Sequence, residues 1–535
     1  MEFRNAKSLS VNGPSHSPIT AGIFLFFFTV IYLFFYLRVQ WRIGDEGTLV
    51  YGAQLVAQGA LPYRDFFEVM GPGSFYWLGL FFKLFGANIL VARGVLLLTG
   101  ALTILLIYWM TRRLYRGPFD VLPGVFFLVI CFPIWPGTNH HWDSNLFALL
   151  TVGTFVLWQE RRRWWLLALA GVLAGLTSCF IQQKGVLLVL SLALAIWGTA
   201  HRAGPAKSRI ASQLGILLAG FAGVGGAVLL FFYLSGGLPD LLYANLIWPL
   251  TRYHQINQVP YGFNLIYPNL RPVFPFPLGQ VMTLLVALPL YIILCLPFLL
   301  LGLAGVCCLQ KSNRTRIFNA VTLPYWTAGF ALWLSELHRK DIMHLVYGSP
   351  LLLILLFLTW NYCFAGRRVL KVIGLGLLTF CIILHGSFYT LAAARAHQQI
   401  ATRRGVLYGF KPDTALKFLM DHTKPGDYVF VYPYYPMYYF LADVKNPTRY
   451  SILLYNINTE DQFEEVISNL KQKQVKYVLW DNMTAGSNLV NWFPLYEHPP
   501  QKDLHLERYL ESHYEVIEVQ NDFKILRLRE NALTD

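Results

Sequence analysis

The feature that most constrains the fold of this chain is a series of apolar segments, each about 20 residues long, separated by polar connections. Of the 535 residues, 55% are hydrophobic and 13% are charged, whereas a soluble domain carries about 25% charged residues. The pattern predicts an all-α polytopic membrane protein. We place about eleven transmembrane helices, with approximate cores at 19–38, 89–110, 118–135, 145–159, 164–180, 185–200, 210–234, 279–309, 317–335, 344–364 and 369–390.

The distribution of lysine and arginine between the connections predicts the orientation of the chain. Starting with the N-terminal segment, which contains Arg4 and Lys7, every second connection is short and basic. Such connections face the cytoplasm. The N-terminus is therefore predicted to be cytoplasmic, and the C-terminal region to lie on the extracytoplasmic side of the inner (plasma) membrane. The net charge of +14 comes largely from these basic connections, so it does not indicate a nucleic-acid partner.

The C-terminal region is more polar than the rest of the chain. It is predicted to form a small extracytoplasmic α/β domain at 400–535, after a transmembrane domain at 1–395. Its aromatic run, 432–440, fits either a core with turns or an edge that faces membrane or carbohydrate. All seven cysteines lie in or beside apolar segments, so no disulfide framework is expected. Strands are predicted at 428–432, 475–480, 514–519 and 523–528, and helices at 413–422 and 460–471.

The first extracytoplasmic loop, 39–88, begins with two adjacent acids, Asp45 and Glu46, just after the first apolar segment. Ionised acids at that depth are costly unless they are paired or functional. One interpretation is structural, because negative side chains stabilise the start of a helix. The other is catalytic, with one of the two acting as a general base.

The predicted topology brings further polar side chains to the same membrane face. Each of them also has a structural interpretation, such as a helix cap, a solvated turn or a lysine that reaches the headgroups. Their conjunction on one face favours an enzyme that works at the membrane surface. The residues are His141 and Asp143 in the second outer loop, Lys184 in the third, Arg252 in the fourth, and His338, Arg339, Lys340, Asp341 and His344 in the fifth.

The loop after the acidic pair has a recognisable pattern, Gly59-x-x-Pro62-Tyr63-x-Asp65-x-x-Glu68-x-x-Gly71-Pro72, and the second span opens at Ala92-Arg93. This pattern resembles the GT-C class of glycosyltransferases that use polyprenyl-phosphate sugars. Within that class it is most similar to the superfamily of protein O-mannosyltransferases, the lipid A aminoarabinose transferase and RgtA/B/C/D-like enzymes. The resemblance is clearest over about residues 20–200 and weaker to about 390.

The resemblance implies a transfer of a hexose or pentose from a polyprenyl-phosphate carrier to a lipid, glycan or protein acceptor, with inversion. It implies that Asp45, with Glu46 beside it, matches the catalytic base, and that Asp143 matches an assisting or metal-binding acid. Lys184 is similar to a lysine near the lipid phosphate, although Gln182-Gln183 departs from the family pattern.

Among the cations, Lys184, Arg339, Lys340 and Arg252 are candidates to stabilise the leaving phosphate. The side chains of His141, His338, Asp341 and His344 are candidates for substrate or metal contacts. A divalent metal is a candidate cofactor, but three well-spaced ligands cannot be assembled from the sequence alone.

Two other functions remain open at this level. A transporter of lipid-linked saccharides also needs many spans, but it requires charges within those spans, and the predicted spans contain almost no acids. An enzyme like the O-antigen ligases or polymerases relies on a large arginine-rich and histidine-rich outer loop, and the loop 235–278 has few such residues.

Overall fold

A computed structural model describes residues 17–41, 44–117, 119–203, 207–253, 257–263, 275–455, 457–484, 486–500, 503–520 and 522–530. Arg4 and Lys7, which contributed to the predicted orientation, lie outside these ranges. The described chain is mostly helical up to residue 394 and mixed α/β beyond it.

Each predicted apolar segment coincides with helical structure. A membrane offers no water to the backbone N–H and C=O groups, so they bond to each other within a helix. Within the described ranges, five helices are long and apolar enough to cross a membrane, or up to seven if each of two bent pairs is one span. A polytopic helical protein is thereby confirmed, whereas the number of eleven spans stays a prediction. The long helices are Pro18–Leu37, Ile89–Leu114, His140–Arg161, Trp164–Phe180, Gln182–Ala203, Lys207–Leu234, Leu278–Leu294, Leu296–Cys308, Leu323–Ser335, Pro350–Cys363 and Arg368–Ala394.

Two predicted spans are bent. The segment 279–309 divides into Leu278–Leu294 and Leu296–Cys308, which meet at 75°. The segment 344–364 divides into Ile342–Gly348 and Pro350–Cys363, which meet at 66°. In both cases a proline stands within the first two positions of the second helix, where its missing N–H leaves no hydrogen bond to the preceding turn.

Two helices of the first outer loop, Gly44–Ala57 and Pro72–Phe85, pack on each other. The second of them carries an aromatic face, through which Phe82 stacks on Phe440 of the C-terminal region with the ring centroids 5.6 Å apart. The acidic loop is thus covered by the C-terminal region.

The C-terminal region contains a four-stranded sheet of order β3-β4-β6-β5, where β3 is Val429–Tyr432, β4 is Tyr477–Asp481, β5 is Tyr514–Val519 and β6 is Phe523–Leu528. Strands β3 and β4 are parallel, and the other two pairs are antiparallel. All four predicted strands are therefore present. A separate hairpin of β1, Gln398–Thr402, and β2, Gly405–Gly409, precedes the sheet. The helices here are Thr414–His422, Met437–Leu441, Glu460–Gln472 and His505–His513.

The hairpin joins this region to the helical part of the chain through backbone hydrogen bonds. Tyr408 exchanges such bonds with Arg38 and Gln40, each 2.8 Å long, and Ile89 donates to the carbonyl of Arg404. The aromatic run 432–440 is mostly buried, so of its two interpretations the core is correct.

Candidate active site

The two adjacent acids lie in the first turn of the helix Gly44–Ala57, where the free backbone N–H groups favour negative charge. Successive residues of a helix point about 100° apart, so the two side chains have different surroundings. Glu46 is fully buried, whereas Asp45 is partly exposed.

Glu46 is held in a buried ion pair with Arg93 of the next long helix. The Arg93 Nε lies 2.6 Å from Glu46 Oε1, and Nη2 donates to Oε2 over 2.7 Å. The backbone N–H of Thr138 also donates to Oε1, at 2.8 Å. Both carboxylate oxygens of Glu46 are therefore engaged in joining the acidic helix to the second span and the second outer loop.

Asp45 has a different partner, which the sequence did not indicate. The hydroxyl of Tyr434 donates to Asp45 Oδ1 over 2.5 Å. Tyr434 belongs to the aromatic run that follows β3, so it lies 389 residues away along the chain. The only sequence signal for it was the predicted placement of that run on the same membrane face.

Asp45 lies on a cavity of about 170 Å³ between the acidic helix, the turn 336–344 and the C-terminal region. Much of the C-terminal wall comes from the segments that follow the carboxyl ends of the parallel strands β3 and β4, the edge of an α/β sheet where ligands commonly bind. The lining residues are Gly44, Asp45, Trp135, Tyr253, Arg339, Asp341, Met343, His344, Tyr434, Tyr435, Asp481, Met483, Thr484, Leu489, Trp492 and Phe493.

Arg339 is the cation on this cavity whose position is fixed most firmly. Its Nε donates to Asp341 Oδ2, its Nη1 to Asn257 Oδ1 and its Nη2 to the carbonyl of Trp492, each over 2.6 Å. Tyr253 is a further side-chain hydrogen-bond partner of Arg339. A guanidinium has five N–H groups, so among these described partners one N–H is left for a further acceptor. The guanidinium also lies 5.0 Å from the ring centroid of Phe493.

Asp341 organises the rest of this turn. It caps the short helix Ile342–Leu345 by accepting from the N–H of His344 over 2.9 Å, and its Oδ1 lies 2.6 Å from His344 Nδ1. Burial acts to raise the pKa of Asp341, but His344 and Arg339 outweigh it and hold the pKa at about 2. Asp341 is therefore ionised at neutral pH and orients both neighbours.

Lys184 lies in a second, closed cluster, which touches the cavity residue His344 through His141, with the two ring centroids 5.0 Å apart. Its Nζ is 2.6 Å from Glu336 Oε1 and donates to Ser144 and Asn145 over 3.1 and 2.8 Å. The side chains of both Lys184 and Glu336 are 0% exposed. His141 adds its Nδ1 at 3.5 Å from Glu336 Oε2 and stacks on Tyr347.

The other predicted site residues lie around these two groups. Asp143 is buried and accepts from Thr99 Oγ1 over 3.1 Å, and it is not among the residues that line the cavity with Asp45. His338 contacts the carbonyl of Ser335 at 2.9 Å. Arg252 is exposed, one residue before the cavity residue Tyr253, and Lys340 is half-buried next to Arg339.

The described residues do not form a metal site by themselves. Within those ranges no three histidine, cysteine, aspartate or glutamate side chains converge as ligands. The nearest arrangement on the cavity is Asp341 with His344, and these two already bond to each other and to Arg339.

One family model matches part of the chain. Residues 70–224 match the family model described as dolichyl-phosphate-mannose-protein mannosyltransferase. The matched segment includes Arg93, Asp143 and Lys184. No curated protein matches the chain.

Solved structures share the fold over nearly the whole chain. Apo ArnT from Cupriavidus metallidurans has a TM-score of 0.55 at 13% identity, covering 96% of this chain and 99% of that one. The same enzyme bound to undecaprenyl phosphate gives 0.51 at 12% identity, covering 96% and 98%. An oligosaccharyltransferase from Archaeoglobus fulgidus, in complex with zinc and sulfate, gives 0.53 at 13% identity, covering 92% and 71%. The chain therefore shares the fold of these two proteins, and over residues 70–224 it is similar to the mannosyltransferase family.

Proposed function

We propose that this protein transfers a sugar from a polyprenyl-phosphate carrier to an acceptor hydroxyl or amide on the extracytoplasmic face of the inner membrane. The observation that carries the proposal is that Asp45 and Arg339 line the same cavity. A carboxylate can take a proton from the acceptor, and a guanidinium can bind the phosphate that leaves. A solved structure of this fold contains undecaprenyl phosphate, which supports a lipid-linked donor.

The proposed reaction is a single displacement. The acceptor oxygen or nitrogen forms a bond to the anomeric carbon of the sugar while its proton passes to Asp45. The bond between that carbon and the phosphate oxygen breaks, and the electron pair leaves with the polyprenyl phosphate. Attack from the side opposite to the leaving group inverts the anomeric configuration.

Asp45 suits the role of base better than Glu46 does. Glu46 accepts three short contacts from Arg93 and Thr138, so it has little capacity for a further proton. Asp45 is bonded at Oδ1 by Tyr434 and lines the cavity. We therefore assign proton transfer to Asp45, and to Glu46 the task of fixing the helix on which Asp45 stands.

The remaining charges are assigned by their surroundings. Arg339 is proposed to bind the leaving phosphate through its charge and the N–H that it still presents to the cavity. Arg252 and Lys340 lie near enough in sequence to cavity residues to reach the outer part of the carrier phosphate. Lys184 and Asp143, being buried in other contacts, are proposed to hold the helices in place.

The proposed function also requires a particular topology in the membrane. It has about eleven spans, a cytoplasmic N-terminus and two domains, 1–395 and 400–535. The basic connections would face the cytoplasm, so the cavity would open on the opposite side, where the transferred sugar is added. The sugar, hexose or pentose, would be selected by the cavity walls.

The test is sugar transfer by the purified full-length protein in lipid nanodiscs. The donors are undecaprenyl-phosphate hexoses and pentoses with radiolabelled sugars. The acceptors are membranes from a strain of the source organism that lacks the gene for this protein. The wild type should move label from one donor into the acceptor fraction. Asp45→Asn should reduce turnover by about 10²- to 10⁴-fold.

The matched control is Asp421→Asn, because Asp421 is an exposed acid that pairs with Lys417 on a helix away from the cavity. It should behave as the wild type. Full turnover by Asp45→Asn would show that Asp45 is not the base. If the wild type transferred sugar from none of the donors, the proposed reaction would be wrong.

A further inference from the structure

The aromatic run of the C-terminal region reaches directly into the site, where Tyr434 contacts Asp45. We propose that Tyr434 is a positioning residue that orients the Asp45 carboxylate for proton transfer. This proposal rests on the proposed function, in which Asp45 is the base. It gives the C-terminal region a part in catalysis that is separate from any binding of the acceptor.

The contact itself is short and charge-assisted. The Tyr434 hydroxyl donates to Asp45 Oδ1 over 2.5 Å, within the range typical of O–H···O⁻ bonds. The Thr48 hydroxyl, one turn further along the acidic helix, lies 3.4 Å from the same phenol oxygen and can donate to it. Burial, together with the charge of Asp45, raises the pKa of Tyr434 well above its ordinary value. The phenol therefore keeps its proton and acts as the donor.

Two glycines in the acidic helix make this approach possible. A Cβ on Gly44 would lie 2.2 Å from the ring of Tyr434, and a Cβ on Gly47 would lie 2.3 Å from the backbone N of Met437. Atoms at such distances overlap, so any larger residue would displace the aromatic segment. The pattern Gly44-Asp45-Glu46-Gly47 thus places the acidic pair between two positions where the C-terminal segment packs against backbone.

The consequence for Asp45 is geometric. A carboxylate bonded at one oxygen can no longer rotate freely about its Cβ–Cγ bond. With Oδ1 occupied by Tyr434, Oδ2 is left to accept the proton of the acceptor. Fixing a base in its reactive orientation lowers the activation barrier without contributing to substrate binding. A loss of this bond should therefore change kcat and leave KM unaltered.

The first experiment compares Tyr434→Phe with Tyr438→Phe in the nanodisc transfer assay. Both changes remove one hydroxyl from the same aromatic segment, but Tyr438 donates to Asp413, which does not line the cavity. Tyr434→Phe should lower kcat by about 10- to 100-fold with an unchanged KM for the donor. Tyr438→Phe should keep kcat within about twofold of the wild type. Equal kcat values for the two variants would overturn the proposal.

A second measurement needs no substrate. 3-Fluorotyrosine is introduced at position 434 of the full-length protein, and its ¹⁹F chemical shift is recorded in nanodiscs at neutral pH. Asp45→Asn should move this resonance, because it replaces the charged acceptor of the hydroxyl bond. The resonance of 3-fluorotyrosine at position 438 should not move. An unchanged signal at position 434 would show that the contact does not exist in the membrane.

The two proposals fail in different ways. If Asp45→Asn is inactive while Tyr434→Phe has the wild-type kcat, only the positioning role is wrong. If Asp45→Asn is fully active, Asp45 is not the base, and the positioning role of Tyr434 is wrong as well. Gly47→Ala provides an independent check, since it should displace the segment and lower kcat at least as far as Tyr434→Phe does.

Discussion

This protein contains two polar groups of similar composition, one that lines a cavity and one that is closed. Around the cavity, Asp45 is partly exposed, and Arg339 lines the open space although it makes three hydrogen bonds to other residues. In the closed cluster, Lys184 and Glu336 are 0% exposed and bond directly to each other. The same residue types therefore line a cavity in one place and form a closed, buried cluster in the other.

The two groups differ in how their charges are stabilised at the helix ends. A buried ion must be paired and hydrogen-bonded, or its desolvation destabilises the fold. Lys184 meets that requirement with Glu336, Ser144 and Asn145, and this leaves it little freedom to bind a substrate. Arg339 is also held by several hydrogen bonds, but it lines the cavity, so it can hold its position and still face a ligand there.

The largest expected effect is on the closed cluster. Lys184→Met should destabilise the protein by about 3–5 kcal/mol, because Glu336 would stay buried without its cation. Thermal unfolding of the variant in nanodiscs would measure the loss. In the double variant Lys184→Met/Glu336→Leu most of the stability should return, since neither charge then remains buried.

The contrary outcome is also informative. A Lys184→Met variant that unfolds at the wild-type temperature but binds undecaprenyl phosphate more weakly would make Lys184 the phosphate ligand that the sequence suggested. The cluster around Lys184 would then be a binding site and not a closed structural group.

Glu68 extends the comparison, because it is a buried acid and no cation of the described part of the chain affects its pKa. Burial, with a smaller contribution from the charge of Asp45, raises its pKa from 4.5 to about 8. A folded-state pKa above the unfolded one means that the folded protein binds the proton more tightly. The contribution of Glu68 to stability should be fully present below about pH 4.5 and be lost as the pH rises to about 8.

The test is Glu68→Gln, which cannot ionise. Its stability relative to the wild type should increase by about 2–4 kcal/mol between pH 5 and pH 8. Unfolding temperatures of both proteins at several pH values would show this divergence. A constant difference across that range would mean that Glu68 has a cation or a solvent path near it in the membrane.

Arg339 should give a smaller effect, on binding more than on folding. Arg339→Lys keeps the charge but loses the fork that contacts Asp341, Asn257 and the Trp492 carbonyl. We expect the affinity for undecaprenyl phosphate to fall about 10-fold, as for the loss of one charge-assisted hydrogen bond. Isothermal titration in nanodiscs would measure it, with Arg527→Lys as the control, because Arg527 is an exposed arginine that pairs with Glu515 away from the cavity. An unchanged affinity would place the phosphate elsewhere.

The fold was predictable from the sequence to a large extent, because its signals are local. Apolar runs give helices, and the strands at 428–432 and 475–480 were marked by aromatic and β-branched residues in short runs. The length of the predicted span 279–309 allows either a tilt or a turn within it, and a bend is found at 295. The bend at 349 was not predicted, since a proline at a helix start is compatible with a straight or a bent span.

The site was less predictable, because it depends on which direction each side chain takes. The sequence places Asp45 and Glu46 together, but only the packing of Arg93 separates their roles. Lys184 and Arg339 were equivalent as cations on one face until Glu336 was found against Lys184. Tyr434 could not be paired with Asp45 at all, because a contact across 389 residues leaves no local pattern.

The smallest effect is expected where charges are neither buried nor on the cavity. Arg449 pairs with Glu465 on the surface of the C-terminal region, and both side chains are 36% exposed. Solvent screens such a pair, so Arg449→Ala should change the free energy of unfolding by about 0–1 kcal/mol and leave sugar transfer unaltered. Thermal unfolding and the transfer assay would measure both. A loss as large as that of Lys184→Met would show that the number of ion pairs, and not their burial, determines stability on this face of the protein.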